Sequence, residues 1–344
     1  MIKIKNFKNF FLVIFSLLLS LLFLELCLRI FINYKPNYYA AFKSNNKAIN
    51  YPYGIVPVNS LGYFDIEFKK NQKKTIGYIG DSVLYGVGAG YPYRVTDILN
   101  ENITKFNIFN LGTLPGQISF NKKTLEKMSY FQKEYNLERV VYLMNLNDIS
   151  DFAYHNIPLN IKNNELKKNI NFLKKINAHL SVINNSYLYN YTKFKIKSFL
   201  NRLGYDYHGY KAIELFPLQN KHYIEKISFE INKLALNSKK KNIKFCLAVL
   251  PYEMQISKEA SEVYKNLGIK FSEAFVKFEP QKIILDNIDQ SLIETIILGK
   301  SFDQNSKIGE YFVYNKGDKI DFNHLNRKGH LKISEEILKT NFCM

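Results

Sequence analysis

Three short segments of this chain are apolar throughout, and each stops on glycine or a small polar residue. Thr75–Ile79 (TIGYI) stops at Gly80, Phe106–Phe109 at Asn110, Leu111 and Gly112, and Arg139–Leu143 (RVVYL) at Asn145, Leu146, Asn147 and Asp148. Continuous rather than alternating apolarity marks strands covered on both faces, which is the state of a parallel sheet. Helical stretches follow the first two, at Tyr91–Asn100, with Pro92 tolerated in its first turn, and at Gln117–Tyr135. A fourth strand, Ile243–Leu250 (IKFCLAVL), ends at Pro251, Tyr252 and Glu253, between helices over Lys221–Lys240 and Ser257–Leu267. The stretch Ile283–Ile297 is apolar with ambiguous period, and a last helix runs from near Asn326 to Thr340. Strand-then-helix units in series build an α/β fold, whose chemistry sits beyond the carboxyl ends of the strands.

The amino terminus imposes a second constraint. Lys3, Lys5 and Lys8 precede an apolar run that reaches from Phe10 to Ile32, interrupted only by Glu25 and Arg29. At 1.5 Å per residue that stretch is about 34 Å long, enough to cross a ~30 Å hydrocarbon core. Glu25 and Arg29 stand four apart on one helical face and can neutralise each other near the outer interface. A cleaved signal peptide has the same charged and apolar opening. However, no small-x-small cleavage site follows, and Leu24, Glu25 and Leu26 lack the small residue that a lipoprotein site needs before Cys27, so an uncleaved anchor is the favoured reading. The basic residues 1–9 then stay in the cytoplasm, 10–32 span the membrane, and the rest is exported. Residues 33–70 read as a stalk and lead-in, 71–344 as the globular domain, and about 151–220, rich in Asn, Lys and aromatics, as a helical insertion or lid.

Composition removes several function classes. The net charge of +18 comes from 43 lysines and only five arginines, Arg29, Arg94, Arg139, Arg202 and Arg327. Phosphate and guanine readers are usually arginine, and no nucleic-acid recognition motif is present, so no nucleic-acid partner is expected. Three widely spaced cysteines, Cys27, Cys246 and Cys343, fit neither a disulfide framework nor a CxxC metal site. No metal is expected.

The strand ends carry the candidate chemistry. Gly80, Asp81 and Ser82 follow the first strand and open a turn containing Gly86, Gly88 and Gly90. A serine there can expose its hydroxyl while its own N–H faces an oxyanion. Alone, this tripeptide reads more readily as a polar turn. Gly112 after the second strand can offer an unobstructed N–H, and Asn147 after the third a carboxamide donor, so Ser82, Gly112 and Asn147 form a candidate oxyanion hole. Near the carboxyl terminus Asp321 and His324 stand three apart in DFNHLN, which lets one loop carry a base and the carboxylate that orients it. Ser82, His324 and Asp321 are therefore the candidate catalytic residues. His330 reads as a packing or capping residue, and His155, His179, His208 and His222 as solvated. Asp148 reads as a brace for its turn, and Tyr252 and Glu253 as an ordinary strand-to-helix loop.

In this order, the GDS of Gly80–Ser82, the NLG glycine Gly112, the N-D pair Asn147–Asp148 and the D-x-x-H of Asp321–His324 resemble the blocks of the SGNH or GDSL hydrolase superfamily. The likeness covers about residues 75 to 335. VNSLGY at Val58–Tyr63 and HLNRKGH at His324–His330 resemble the lead-in and closing blocks of its membrane-anchored members. One departure is Asn145, where the family's third block usually has glycine; asparagine tolerates positive φ better than most residues. The resemblance implies a flavodoxin-like three-layer α/β/α sandwich with four or five parallel strands, here preceded by one N-terminal transmembrane helix. It also implies that no metal or organic cofactor is used. The expected activity is a serine esterase acting through an acyl-serine on O-acyl, chiefly acetyl, esters of a carbohydrate or cell-envelope polymer. An O-acyltransferase modifying an exported polysaccharide, or a non-catalytic glycan-binding or assembly protein of the same fold, are the alternatives. The expected partners are the acylated glycan and, through the first helix, the lipid bilayer. The motifs name no substrate-binding residue.

Overall fold

The computed structural model describes residues 2–31, 49–51, 54–112, 122–156, 186–203, 212–314 and 321–344. The chain forms two compact units, one of Met1–Asn37, Asn160–Tyr207 and Asn315–Ile320, the other of Tyr38–Leu159, His208–Tyr314 and Asp321–Met344.

The larger unit is built on five parallel strands: β1 (Lys74–Gly80), β2 (Phe106–Asn110), β3 (Leu137–Met144), β4 (Lys244–Val249) and β5 (Ile293–Ile297). Their order across the sheet is β2-β1-β3-β4-β5, the flavodoxin-like order, which places a crevice at the carboxyl ends of β1 and β3. The apolar runs are strands because both of their faces are covered. Ile76, Tyr78, Val141, Leu143, Cys246 and Ala248 pack in one core with Leu99, Ile333 and Ile337, which belong to the helices Val95–Asn102 and Arg327–Thr340. The alternate residues Val140, Tyr142, Phe245 and Leu247 are equally buried, on strands contacted by helices Lys122–Tyr135 and Lys221–Lys239. This is the expected three-layer α/β/α arrangement.

The ambiguous stretch resolves into a helix, Glu279–Asp286, and the edge strand β5. Only the first residue of β5 is fully buried, so the strand lacks the continuous apolar stretch that marked the central ones. The helix placed at Tyr91 begins instead at Val95. Asp97 accepts the Arg94 N–H, and His330 Nδ1 accepts the Val95 N–H, so the backbone is capped four residues later than the pattern suggests. His330 is thus the capping residue expected, although of a helix far from it in sequence.

The cysteine reading is corrected. Cys246, inside β4, forms a disulfide with Cys343 across 97 residues, and both are fully buried. Spacing along the chain concealed the pair because the left-handed turn residues Asn341 and Cys343 fold the terminus back against the sheet after the last helix. There the Cys343 N–H donates to Glu294 on the strand next to β4. Cys27 is the free cysteine among the described residues.

Part of the lead-in is stitched into this unit. Asn59 accepts N–H bonds from Leu61 and Tyr63 in a turn closed by Gly62 at φ 83°, which accounts for the N-x-x-G spacing. Asp65 then accepts the Asn110 N–H at 2.8 Å and pairs with buried Arg94, and Phe68 stacks on Phe109 at 4.1 Å. In the closing block, a Cβ on Gly329 would lie 2.1 Å from the Tyr311 carbonyl oxygen, so no side chain fits there.

In the smaller unit a helix runs from Ile2 to Phe31, and its 23 residues Asn9–Phe31 are long and apolar enough to cross a membrane. Arg29 meets Glu25 at 2.8 Å, as the four-residue spacing predicts. The same carboxylate accepts bonds from Ser186 Oγ and from the N–H groups of Tyr187 and Leu188, the start of a helix Tyr187–Arg202. Of the insertion read at 151–220, the described parts are the end of helix Asn147–Asn156, helix Tyr187–Arg202 and a short 3₁₀ turn at Ile213–Leu215. His179 and His208 lie outside the described residues, as does the side chain of His155.

Candidate active site

Ser82 is the first residue of a one-turn helix, Ser82–Tyr85, that starts where β1 ends. Asp81 caps this turn by accepting the Val83 N–H at 2.9 Å, and Gly86 closes it at φ 100°. A Cβ on Gly86 would also lie 2.4 Å from Arg94 Cδ, so glycine is required there on two counts. As the first N–H of a helix, that of Ser82 has no intrahelical acceptor and remains available to a ligand.

His324 Nε2 lies 2.8 Å from Ser82 Oγ, and His324 Nδ1 lies 2.9 Å from both carboxylate oxygens of Asp321. An ionised Asp321 can only accept, so Nδ1 carries the proton and the Nε2 lone pair faces the serine hydroxyl. The structure thus brings together Ser82, His324 and Asp321, which are 242 residues apart at their extremes.

The local sequence explains how the loop holds its shape. Phe322 rests against Tyr252 and Tyr264, and its carbonyl accepts the Glu253 N–H at 2.9 Å. The backbone of His324 bonds Val313, Leu325 is buried in the core, and Asn326 caps the last helix through the Gly329 N–H. Tyr264 adds a hydroxyl shared between Glu253 (2.6 Å) and the Asp321 carbonyl (3.1 Å).

The candidate oxyanion donors are placed less uniformly. Asn147 begins the helix after β3, and its side chain lies near enough to the buried Asp81 carboxylate to favour the charged form. A carboxamide has two N–H groups, so proximity to Asp81 does not use up its capacity to donate to a ligand. Burial raises the Asp81 pKa, against the opposing influence of Val83, Asn147 and Asn145 and the charge of His324. Gly112 lies close against the Ser82 turn, where an added Cβ would stand 3.2 Å from Tyr85 N, but its N–H donates to Asn110 Oδ1 at 3.0 Å. The third expected donor is therefore engaged within its own loop.

Asn145, the departure from the resembled third block, is not among the non-glycine residues with positive φ. Its buried side chain instead donates to Asp81 at 3.3 Å. Asp148 braces the turn as read, accepting the Tyr142 hydroxyl and the Asn145 N–H.

Sequence reasoning reads Glu253 as part of an ordinary loop and does not single out Glu214. Both carboxyls are buried, and burial pushes each up to about 7. Glu214 takes hydrogen bonds from Ser150 and Tyr252, and Glu253 takes them from Tyr264 and the Gly309 N–H. The one signal for Glu253 was a carboxylate directly after an apolar strand. For a carboxyl raised in the folded state, stability is fully present below the unfolded pKa near 4.5 and is lost as pH rises through about 7. The difference corresponds to about 3 kcal/mol at 1.36 kcal/mol per unit. Glu253→Gln keeps the shape without the ionisation, so it should gain stability relative to wild type between about pH 5 and pH 8, by up to that amount. Urea unfolding of the detergent-solubilised protein at the two pH values checks this. Equal differences at both would remove Glu253 as the titrating group. His330 works in the opposite sense: burial lowers it to about 3, so its contribution is present above about 6.5 and is lost as pH falls toward 3.

No family model and no curated protein matches the chain. Among solved structures it is similar to one assigned to the lipolytic G-D-S-L family from Desulfitobacterium hafniense DCB-2, at 11% identity and a TM-score of 0.35, over 78% of this chain and 99% of that one. It is also similar to the acetyl xylan esterase AlAXEase, at 13% identity and a TM-score of 0.38, over 77% of this chain and 98% of that one. A third is a GDSL-like lipase from Bacteroides ovatus ATCC 8483, at 11% and 0.31, over 80% of this chain and 54% of that one. At such values the chemistry has to be argued from this chain's own residues.

Proposed function

We propose that the protein is a membrane-anchored, exported serine esterase that removes O-acyl groups, chiefly acetyl, from a carbohydrate or cell-envelope polymer. The observation that carries this reading is the unbroken hydrogen-bonded series from Ser82 Oγ through His324 to Asp321. In the reaction Ser82 Oγ attacks the ester carbonyl while His324 Nε2 takes its proton, and Asp321 stabilises the imidazolium. The Ser82 N–H and the Asn147 carboxamide receive the developing oxyanion, and the Gly112 N–H joins them once Asn110 releases it. Collapse expels the alcohol, which takes the proton from His324, and leaves an acyl-Ser82. Water activated by His324 then releases the acid. A sugar hydroxyl in place of water makes the same intermediate a transferase.

The disulfide supports export, since such bonds persist in oxidising compartments. The amino-terminal lysines support a cytoplasmic start.

The oxyanion assignment provides the test. On p-nitrophenyl acetate, Asn147→Ala should lower kcat by roughly 10² to 10³, about 2.7 to 4 kcal/mol of transition-state stabilisation. An unchanged rate would remove Asn147 from the site. A folded wild type with no turnover on any acetyl ester would favour the non-catalytic glycan-binding alternative.

A further inference from the structure

The helix Tyr187–Arg202 presents a face that nothing among the described residues covers. Ile196, Phe199 and Leu203 are 53, 59 and 58% exposed, and their spacing of three and four places them on one side of the helix. At 100° per residue, Leu188 lies eleven residues before Phe199 and thus within about 20° of it. Leu188 is half-buried and lines a groove with Leu18, Leu21 and Leu22 of the first helix. The stripe therefore begins beside the apolar surface of the first helix, and its later members Ile196, Phe199 and Leu203 stay exposed.

The attachment is polar and specific. Ser186 caps the helix by accepting the Tyr189 N–H. Glu25 accepts the Tyr187 and Leu188 N–H groups at 2.9 and 2.7 Å, so it satisfies two of the donors that a helix start leaves open. Arg29 balances the Glu25 charge and lies 4.5 Å from the centre of the Tyr187 ring. Glu25 lies six residues inside the end of the first helix at Phe31. That is about 9 Å at 1.5 Å per residue, within the ~5–10 Å to which interfacial helices sink. Tyr187–Arg202 contains Lys193, Lys195, Lys197 and Arg202 and no acidic residue, a charge that complements anionic headgroups.

We infer that Tyr187–Arg202 is an interfacial helix, lying on anionic phospholipid at the exit end of the anchor with Ile196, Phe199 and Leu203 at the headgroup–acyl boundary. The inference rests on the reading of the first helix as a retained membrane span.

The test uses the full chain with Cys27→Ser, reconstituted in vesicles of phosphatidylglycerol and phosphatidylcholine. A single nitrobenzoxadiazole label is carried at Phe199→Cys, at Leu17→Cys in the anchor, or at exposed Lys239→Cys in the larger unit. Doxyl-labelled lipid should quench positions 199 and 17 several-fold more than position 239, with blue-shifted emission at 199. Replacing the anionic lipid with phosphatidylcholine alone should weaken the quenching at 199 and leave 17 unchanged. Quenching at 17 with a water-exposed label at 199 would overturn the inference and keep the anchor, whereas loss of quenching at both would overturn both. Disulfide cross-linking of unlabelled Phe199→Cys between two chains, without quenching at 199 in the labelled protein, would assign the stripe to a second copy and overturn the inference as well.

Discussion

Ser82→Ala should abolish both covalent labelling by a fluorophosphonate and release of p-nitrophenol from p-nitrophenyl acetate. Only a hydroxyl 2.8 Å from an unprotonated Nε2 has its proton taken as it attacks, and alanine leaves no atom there to form the acyl bond. His324→Ala should do nearly the same, with turnover down by roughly 10⁴ or more. His330→Ala separates the two histidines. It leaves the Ser82–His324–Asp321 series intact, so most activity should remain, but it removes a fully buried ring and the acceptor of the Val95 N–H, so that variant should unfold at a lower temperature. Activity, labelling and thermal midpoint measured on the three variants decide the matter. Labelling that survives Ser82→Ala would place the nucleophile elsewhere, and equal activity losses from the two histidine changes would remove His324 as the base.

The sequence made the site legible where one residue type answers one chemical need. The strand ends at Gly80, Gly112 and Asn147 follow from continuous apolar strands, because polar backbone must reappear where such strands stop. Asp321 and His324 were readable because three residues is the reach of one turn. The supports were not readable. Asp81 looked like part of a turn, yet it gathers Val83, Asn145 and Asn147 around one buried carboxylate. Glu253 and Tyr264 hold the Asp321 loop from two elements that only folding brings beside it. The Gly112 N–H was read from position alone, and position cannot reveal that Asn110, two residues earlier, supplies an acceptor. The edge strand β5 and the disulfide escaped for a related reason: each is fixed by what packs against it, and that information lies elsewhere in the chain.

Cys343→Ala should cost the folded protein about 2 to 5 kcal/mol, the usual loss when a native disulfide is removed. The bond joins residues 97 apart, and closing a loop near 100 residues is worth about 4.7 kcal/mol in the chain-entropy account. The closed loop contains β5, the Asp321–His324 loop and the last helix, so the bond restrains the unfolded chain over the segment that carries the proposed base. Cys343 is the better residue to replace, because a polar substitute at Cys246 would put a hydroxyl into the interior of β4. Unfolding of wild type with and without a reductant supplies the control. Reductant should lower the wild-type midpoint toward that of Cys343→Ala and leave the variant where it is. Alkylation of denatured, unreduced wild type should modify one thiol, that of Cys27, the free cysteine. Modification of three thiols in protein taken from its native membrane would mean that Cys246 and Cys343 sit reduced there, and the argument that the catalytic unit faces an oxidising compartment would fall with the bond.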